Sequence, residues 1–114
     1  MKWAALVKLG LELPATSEGV WYRTPALMVG GKGFVRLKEN AQDVVFMLED
    51  VDAQEFLINA LPSVYFITDH YRGYAIVLAR LGKLSVKEAR LRLRHSWRQK
   101  ASAKLLKELD AAGR

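Results

Sequence analysis

Two adjacent glycines, Gly30 and Gly31, separate two short apolar segments of the chain, residues 25–29 and 34–38. Glycine adopts positive φ angles without a steric cost, and a two-residue hairpin turn needs such angles. The sequence therefore predicts an antiparallel β-hairpin around the two glycines. We exclude a phosphate-binding loop here, because no Gly-Lys-Ser/Thr signature and no helix start follow the glycines.

Further short apolar segments predict more strands of the same sheet. A short strand is expected at residues 19–23. Residues 43–48 are apolar without a break after Asp43, which is typical of a strand at the centre of a sheet or covered on both faces. Residues 64–67 and 75–79 are rich in β-branched and aromatic side chains, so they predict two more buried strands.

Two helices are predicted outside these strands. Residues 1–13 carry apolar side chains at close to helical spacing, and Pro14 ends that helix. Asp52-Ala53-Gln54-Glu55 has the pattern of a capping box and opens a second helix, which Pro62 closes. Val51 and Phe56 are expected to form a hydrophobic staple, and the apolar stripe of this helix is expected to be Phe56, Leu57, Ala60 and Leu61.

A basic helix is predicted from Val86 to about Lys100, because residues 85–88 form a second capping box. Its expected core stripe is Val86, Ala89, Leu93 and Trp97. Another helix is expected at residues 102–109, with Gly113 as its cap. Two helices joined by a short break weakly resemble a helix-turn-helix arrangement.

The chain of 114 residues is long enough for one domain and has a net charge of +6. Its charged residues are distributed unevenly along the sequence. Residues 39–55 contain six acids and no basic residue. Half of the basic residues lie between residues 83 and 107, where Glu88 is the single acid: Lys83, Lys87, Arg90, Arg92, Arg94, Arg98, Lys100, Lys104 and Lys107. A basic helix of this kind is either a solvated amphipathic surface or a binding surface for an anionic partner.

The composition excludes several classes of protein. With no cysteine, the chain has no disulfide framework, thiolate nucleophile or cysteine metal site, and it is expected to be cytoplasmic. Its two histidines are too few for a zinc site made by the protein alone. Lys8 and Glu12 interrupt the apolar run that a signal peptide needs, and no run is long enough for a membrane span. We therefore expect neither a cofactor nor a membrane partner.

The six residues 69–74 connect the last two predicted strands and carry the chemistry of a recognition surface. Gly73 supplies the backbone freedom for the reversal, while His70, Tyr71, Arg72 and Tyr74 exceed what a plain turn requires. The alternative is a structural hairpin whose tyrosines cover the edge of the core and whose arginine pairs with the neighbouring aspartate.

Three motifs together resemble the MmcQ/YjbR-like family of small bacterial proteins, over about residues 9–97. They are His70-Tyr71-Arg72-Gly73-Tyr74 before a strand that ends in Arg80-Leu81, Tyr22-Arg23-Thr24-Pro25-Ala26, and Val29-Gly30-Gly31-Lys32-Gly33-Phe34. The resemblance implies a two-layer α+β domain and binding of DNA. The chain departs from the family pattern at Arg23, where glycine is usual, and at Ala75-Ile76, where Pro-Trp is more typical.

Catalytic chemistry is not expected. Adjacent residues of a strand point to opposite faces, so Asp69 and His70 do not form an acid–base pair, and their segment has no serine or cysteine nucleophile. Glu49, Asp50 and Asp52 lack the spacing of a calcium loop, and they are expected to solvate a turn and cap a helix.

The sequence thus predicts a single α+β domain over residues 1–114, with two layers. An antiparallel sheet of about five strands should carry an N-terminal helix, an inserted helix and C-terminal helices. Non-enzymatic binding of DNA is the favoured function, with these contact residues: Lys87, Arg90, Arg94, Arg98, Lys100, His70, Tyr71, Arg72 and Tyr74. The alternatives are a protein-interaction module with a secretion-chaperone-like layout, and a small-anion pocket around His70, Arg72 and Lys32.

Overall fold

The computed structural model describes residues 1–112, so the predicted cap at Gly113 lies outside the described residues. The elements in chain order are α1 (Trp3–Gly10), β1 (Thr16–Trp21), β2 (Thr24–Val29), β3 (Lys32–Leu37), β4 (Asp43–Met47), α2 (Val51–Ala60), β5 (Tyr65–Phe66), β6 (Ile76–Arg80), α3 (Val86–Lys100) and α4 (Ala103–Ala112). The α+β prediction is confirmed, and the described sheet has six strands where about five were expected.

The sheet is antiparallel throughout, and its strands lie side by side in the order β1-β2-β3-β4-β6-β5. The predicted hairpin around the two glycines joins β2 to β3, and Gly30 and Gly31 have φ angles of 56° and 78°. The register shifts within this hairpin: Leu27 lies opposite Val35 and Met28 lies opposite Gly33. Phe34 is therefore an extra residue in β3, and both it and Val35 are buried in the main core.

The two faces of the sheet cover different clusters of side chains. Val44 and Phe46 of β4 point into the main core, which also holds Leu6 of α1 and Leu93 and Trp97 of α3. The intervening residues of β4 join a smaller cluster on the opposite face, formed by Val45, Met47, Tyr71 and Leu78. Because both faces of β4 are buried and β4 lies between β3 and β6, the prediction of a central, covered strand is confirmed.

The predicted start of the inserted helix is wrong, and only Leu57 of its predicted apolar stripe is buried. The N-cap of α2 is Asp50, whose carboxylate accepts a hydrogen bond of 2.8 Å from Ala53 N, and not Asp52. Gln54 and Leu57 are its buried residues, whereas the Phe56 side chain is 70% exposed. Asp50 and Asp52 are both good caps. Because the first is used, the helix begins two residues earlier than predicted.

The predicted span and cap of the basic helix are confirmed, since α3 covers Val86–Lys100 and Ser85 Oγ accepts from Glu88 N at 3.1 Å. The expected core position of Val86 is wrong: this first-turn residue is 52% exposed. Buried Ser96 extends the core face instead, and its hydroxyl donates to Met47 O at 2.7 Å. The hydroxyl group thereby ties α3 to the end of β4.

Candidate nucleic-acid interface

The connection between β5 and β6 is a turn of 3₁₀ helix, Asp69–Tyr71, followed by a glycine in the left-handed region, Gly73, at φ 83°. The two strands pair with Tyr65 opposite Ala79, so the predicted antiparallel pair is confirmed. A buried amide anchors the connection: Gln54 Nε2 of α2 lies 3.1, 3.0 and 2.7 Å from the carbonyl oxygens of Tyr71, Tyr74 and Ile76. The turn is therefore held to α2 through its backbone.

Tyr71 folds from this turn onto the second face of the sheet, where it is buried. Its hydroxyl oxygen accepts hydrogen bonds from two cations, Arg36 Nη2 at 3.0 Å and Lys38 Nζ at 3.4 Å. The Lys38 ammonium also lies 5.3 Å from the centre of the Tyr71 ring, within cation–π range. Arg36 of β3 and Lys38, which directly follows β3, thereby fix the position of the tyrosine.

Arg36 is a buried cation in β3 that the sequence analysis did not assign to the site. It lies opposite Val45, so it projects onto the second face, and its Nη1 donates to Thr24 Oγ1 at 3.3 Å. The same nitrogen lies 3.4 Å from Glu39 Oε1. A hydrogen bond from its own backbone, followed by the charge of Lys38, lowers the pKa of Glu39. The signal that could have found Arg36 is a charged residue within an apolar strand.

A cleft of about 450 Å³ opens on this face, and we call it the aromatic cleft. Val45, Met47 and Ile76 form apolar parts of its wall, with Arg36 and Lys100 as cations. Its other lining residues are Trp21, Tyr22, His70, Tyr71 and Tyr74. Three of the four tyrosines of the chain therefore line one cleft, and no carboxylate is among its lining residues within the described part of the chain.

The turn between β1 and β2 brings two of these aromatic rings to the cleft. β1 ends at Trp21 and the turn consists of Tyr22 and Arg23, so the predicted strand at residues 19–23 starts and ends too late. Tyr22 and Arg23 have φ angles of 52° and 65°, which a two-residue hairpin turn requires. The prediction missed this turn because neither residue is a glycine.

The structure brings four of the predicted contact residues to the cleft: His70, Tyr71, Tyr74 and Lys100. Arg72 does not line the cleft. It pairs with Asp69 at 2.9 Å, as the structural-hairpin alternative expects, although its side chain is 72% exposed. Lys32 does not line the cleft either, so the cleft does not unite the three residues of the small-anion hypothesis.

The other four predicted residues lie along α3 at spacings of three and four, so they share one side of the helix. We call Lys87, Arg90, Arg94 and Arg98 the α3 cationic stripe. Arg90 pairs with Glu12 at 3.4 Å and Arg98 pairs with Asp110 at 3.0 Å. Within residues 1–112, Lys87 and Arg94 form no ion pair, and with Arg90 they line a groove beside Leu13 of the loop after α1.

The opposite flank of α3 contributes no second cationic surface. Arg92 is buried and lies 3.5 Å from Glu88 Oε1, and the same oxygen accepts a hydrogen bond of 2.7 Å from the Tyr65 hydroxyl. Partial burial, with the charge of Arg92, lowers the pKa of His95. The positive charge available to a ligand on α3 is therefore concentrated in the stripe and in Lys100.

The described residues contain no cluster of three or more histidine and acidic side chains that could hold a metal ion. Over residues 1–112, no helix combines the length and the apolar character that crossing a bilayer requires.

The fold and the site define a small α+β domain with an open antiparallel sheet, one face of which carries the aromatic cleft, and with a cationic stripe along α3. The model of the YjbR family matches residues 11–99. Since this match covers most of the chain, the protein belongs to the YjbR family, which confirms the resemblance of the three motifs. No curated protein matches the sequence.

Proposed function

We propose that the protein binds DNA without catalysing a reaction, and that the α3 cationic stripe contacts the phosphates. The observation that carries this proposal is the arrangement of the stripe. Its four cations occupy one side of a helix over about 17 Å, at 1.5 Å of rise per residue. Such a row neutralises several phosphates of a backbone at once and releases their counterions, which drives association.

The ion pairs of the stripe do not oppose this proposal. The pairs of Arg90 with Glu12 and of Arg98 with Asp110 are solvent-exposed, and exposed ion pairs contribute little stability. A phosphate can therefore replace the carboxylate at small cost. Lys87 and Arg94 have no such competitor within the described residues.

The end of α3 lies close to the turn, although Lys100 projects from a different side of the helix than Arg98 of the stripe. Lys100 is the last residue of this helix and lies in the wall of the aromatic cleft with His70 and Tyr74. Arg72 extends from the same turn into solvent, where it can reach a phosphate. The contacts that we propose therefore form two groups, the stripe along α3 and the turn together with Lys100.

Charge removal tests the stripe. We expect the variant Lys87→Gln with Arg94→Gln to bind a random DNA duplex about tenfold more weakly at low salt, because two phosphate contacts are lost. The matched control is Lys8→Gln with Lys32→Gln, which removes the same charge from two exposed residues outside the stripe. Fluorescence anisotropy measures both affinities. Equal losses in the two variants would show that only net charge matters, and the stripe would then have no special role.

Binding of another protein is the second candidate, and the exposure of Phe56 on α2 favours it. Phenylalanine is enriched in protein–protein interfaces relative to the rest of the protein surface. β4 offers no such surface, because both of its faces are buried. Replacement of Phe56 by serine discriminates the candidates, since it should weaken binding to a protein partner and leave DNA affinity unchanged.

A further inference from the structure

Two of the aromatic rings that line the aromatic cleft are exposed to solvent and are not part of the hydrophobic core. Tyr22 is 70% exposed and Tyr74 is 62% exposed, although tyrosine rings gain most stability when buried. Both line the cleft, together with Arg36 and Lys100. Exposed aromatic rings beside cations, with no carboxylate among the described lining residues, are suited to a ligand that is planar and carries negative charge.

Backbone strain holds one of these rings at the cleft. Tyr22 and Arg23 both adopt left-handed backbone angles, which residues other than glycine and asparagine rarely adopt because of steric strain. Asn-Gly is the favoured sequence for such a turn. The strained turn places the Tyr22 ring 5.2 Å from the Trp21 ring and 5.3 Å from the Arg36 guanidinium, measured to ring centres.

The absence of a side chain at Gly33 of β3 leaves room for the Trp21 ring. A Cβ atom added to Gly33 would lie 2.6 Å from Trp21 Cδ2, far inside van der Waals contact. The Trp21 indole therefore rests directly on the backbone of β3, and any other residue at position 33 would push it away. The strained turn and the missing side chain at Gly33 are separate features, and both position the Trp21–Tyr22 pair.

We propose that the aromatic cleft binds one unpaired nucleotide, with its base stacked on the Trp21–Tyr22 pair and its phosphate near Lys100. This inference rests on the proposed DNA binding for the choice of ligand. The volume of about 450 Å³ lies in the usual range of small-molecule sites. A base within a duplex is covered on both faces by its neighbours, so it cannot stack on a protein ring unless it leaves the helix. The ligand is therefore a nucleotide of a single strand or a free nucleotide.

Two variants test the cleft without removing a charge. Tyr22→Asn removes the ring but keeps a residue that tolerates the left-handed turn, so the melting temperature should be unchanged or higher. Gly33→Ala displaces the Trp21 indole, and its matched control is Gly82→Ala, where an added Cβ meets nothing within 4 Å. We expect Tyr22→Asn and Gly33→Ala to weaken binding of oligothymidylate by about tenfold or more, and Gly82→Ala to leave it unchanged.

Competition between probes distinguishes a free nucleotide from a nucleotide within a strand as the ligand of the cleft. Thymidine monophosphate should displace oligothymidylate from the wild-type protein, and its affinity relative to the strand decides between a free nucleotide and a nucleotide in a strand. Displacement by inorganic phosphate at the same concentration would overturn the inference, because the base would then contribute nothing. Unchanged affinity for oligothymidylate in Tyr22→Asn, in a variant with native thermal unfolding, would also overturn it.

Failure of the proposed duplex binding is recognised separately. The Lys87→Gln and Arg94→Gln double variant changes the stripe and leaves every lining residue of the cleft in place. Binding of oligothymidylate that depends on Tyr22, in a protein that does not bind duplex, would support the cleft and contradict the role of the stripe. Equal weakening of duplex and single-strand binding by Tyr22→Asn would contradict a site for unpaired bases.

Discussion

Replacement of Gln54 by leucine is expected to lower the free energy of unfolding by about 3 kcal/mol. The amide of Gln54 lies within hydrogen-bond distance of the carbonyl oxygens of Tyr71, Tyr74 and Ile76. Leucine fills a similar volume but has no hydrogen-bond donor. The three carbonyl oxygens therefore lose the buried amide as their partner. Urea denaturation measures the loss. Because the amide holds the turn against α2, we also expect weaker DNA binding.

Gln99→Leu is the matched control for this prediction. Gln99 is exposed on α3, and its amide donates a single hydrogen bond to His95 O at 3.1 Å. The same chemical change should therefore cost less than about 0.5 kcal/mol. If the Gln54 and Gln99 variants unfold at the same urea concentration, the turn is held by something other than the buried amide.

Replacement of Trp97 by alanine is expected to have the largest effect on stability, a loss of about 4 kcal/mol. The Trp97 side chain is completely buried between α3 and the sheet, and its Nε1 donates to Pro14 O at 3.0 Å. Alanine would leave a cavity and remove the donor that ties the segment after α1 to α3. Trp97→Phe keeps a large ring without the donor, and thermal unfolding should place it between the wild-type protein and Trp97→Ala.

The matched control is Trp3→Ala, because Trp3 is only partly buried at the start of α1 and should lose less apolar contact. Equal destabilisation by Trp3→Ala and Trp97→Ala would contradict the position of Trp97 at the centre of the main core.

The parts of the fold that the sequence predicted correctly are those encoded within a few neighbouring residues. Gly30 and Gly31 identify their hairpin, because no other residue takes two consecutive positive φ angles so easily. Ser85 identifies the start of α3, because its hydroxyl group accepts a hydrogen bond from the backbone N–H of Glu88, three residues later. The prediction for the start of α2 was wrong because Asp50 and Asp52 are equally good cap residues, and the residue types alone do not distinguish them.

The aromatic cleft could not be predicted because its residues come from distant parts of the chain. Tyr22, Arg36 and Tyr71 meet only when β1, β3 and the turn before β6 take their places in the sheet. The register depends on the extra residue at Phe34, and a shift by one residue moves a side chain to the other face. The positive φ angles of Tyr22 and Arg23 likewise have no signal in the residue types.

The salt dependence of binding to a random DNA duplex tests the central claim most directly. If the four cations of the stripe contact phosphates, the logarithm of the association constant should fall linearly with the logarithm of salt concentration, with a slope between about −2 and −4. The slope should become smaller in magnitude by about two in the Lys87→Gln and Arg94→Gln double variant. No binding at low salt, or a slope that the double variant leaves unchanged, would contradict DNA binding through α3.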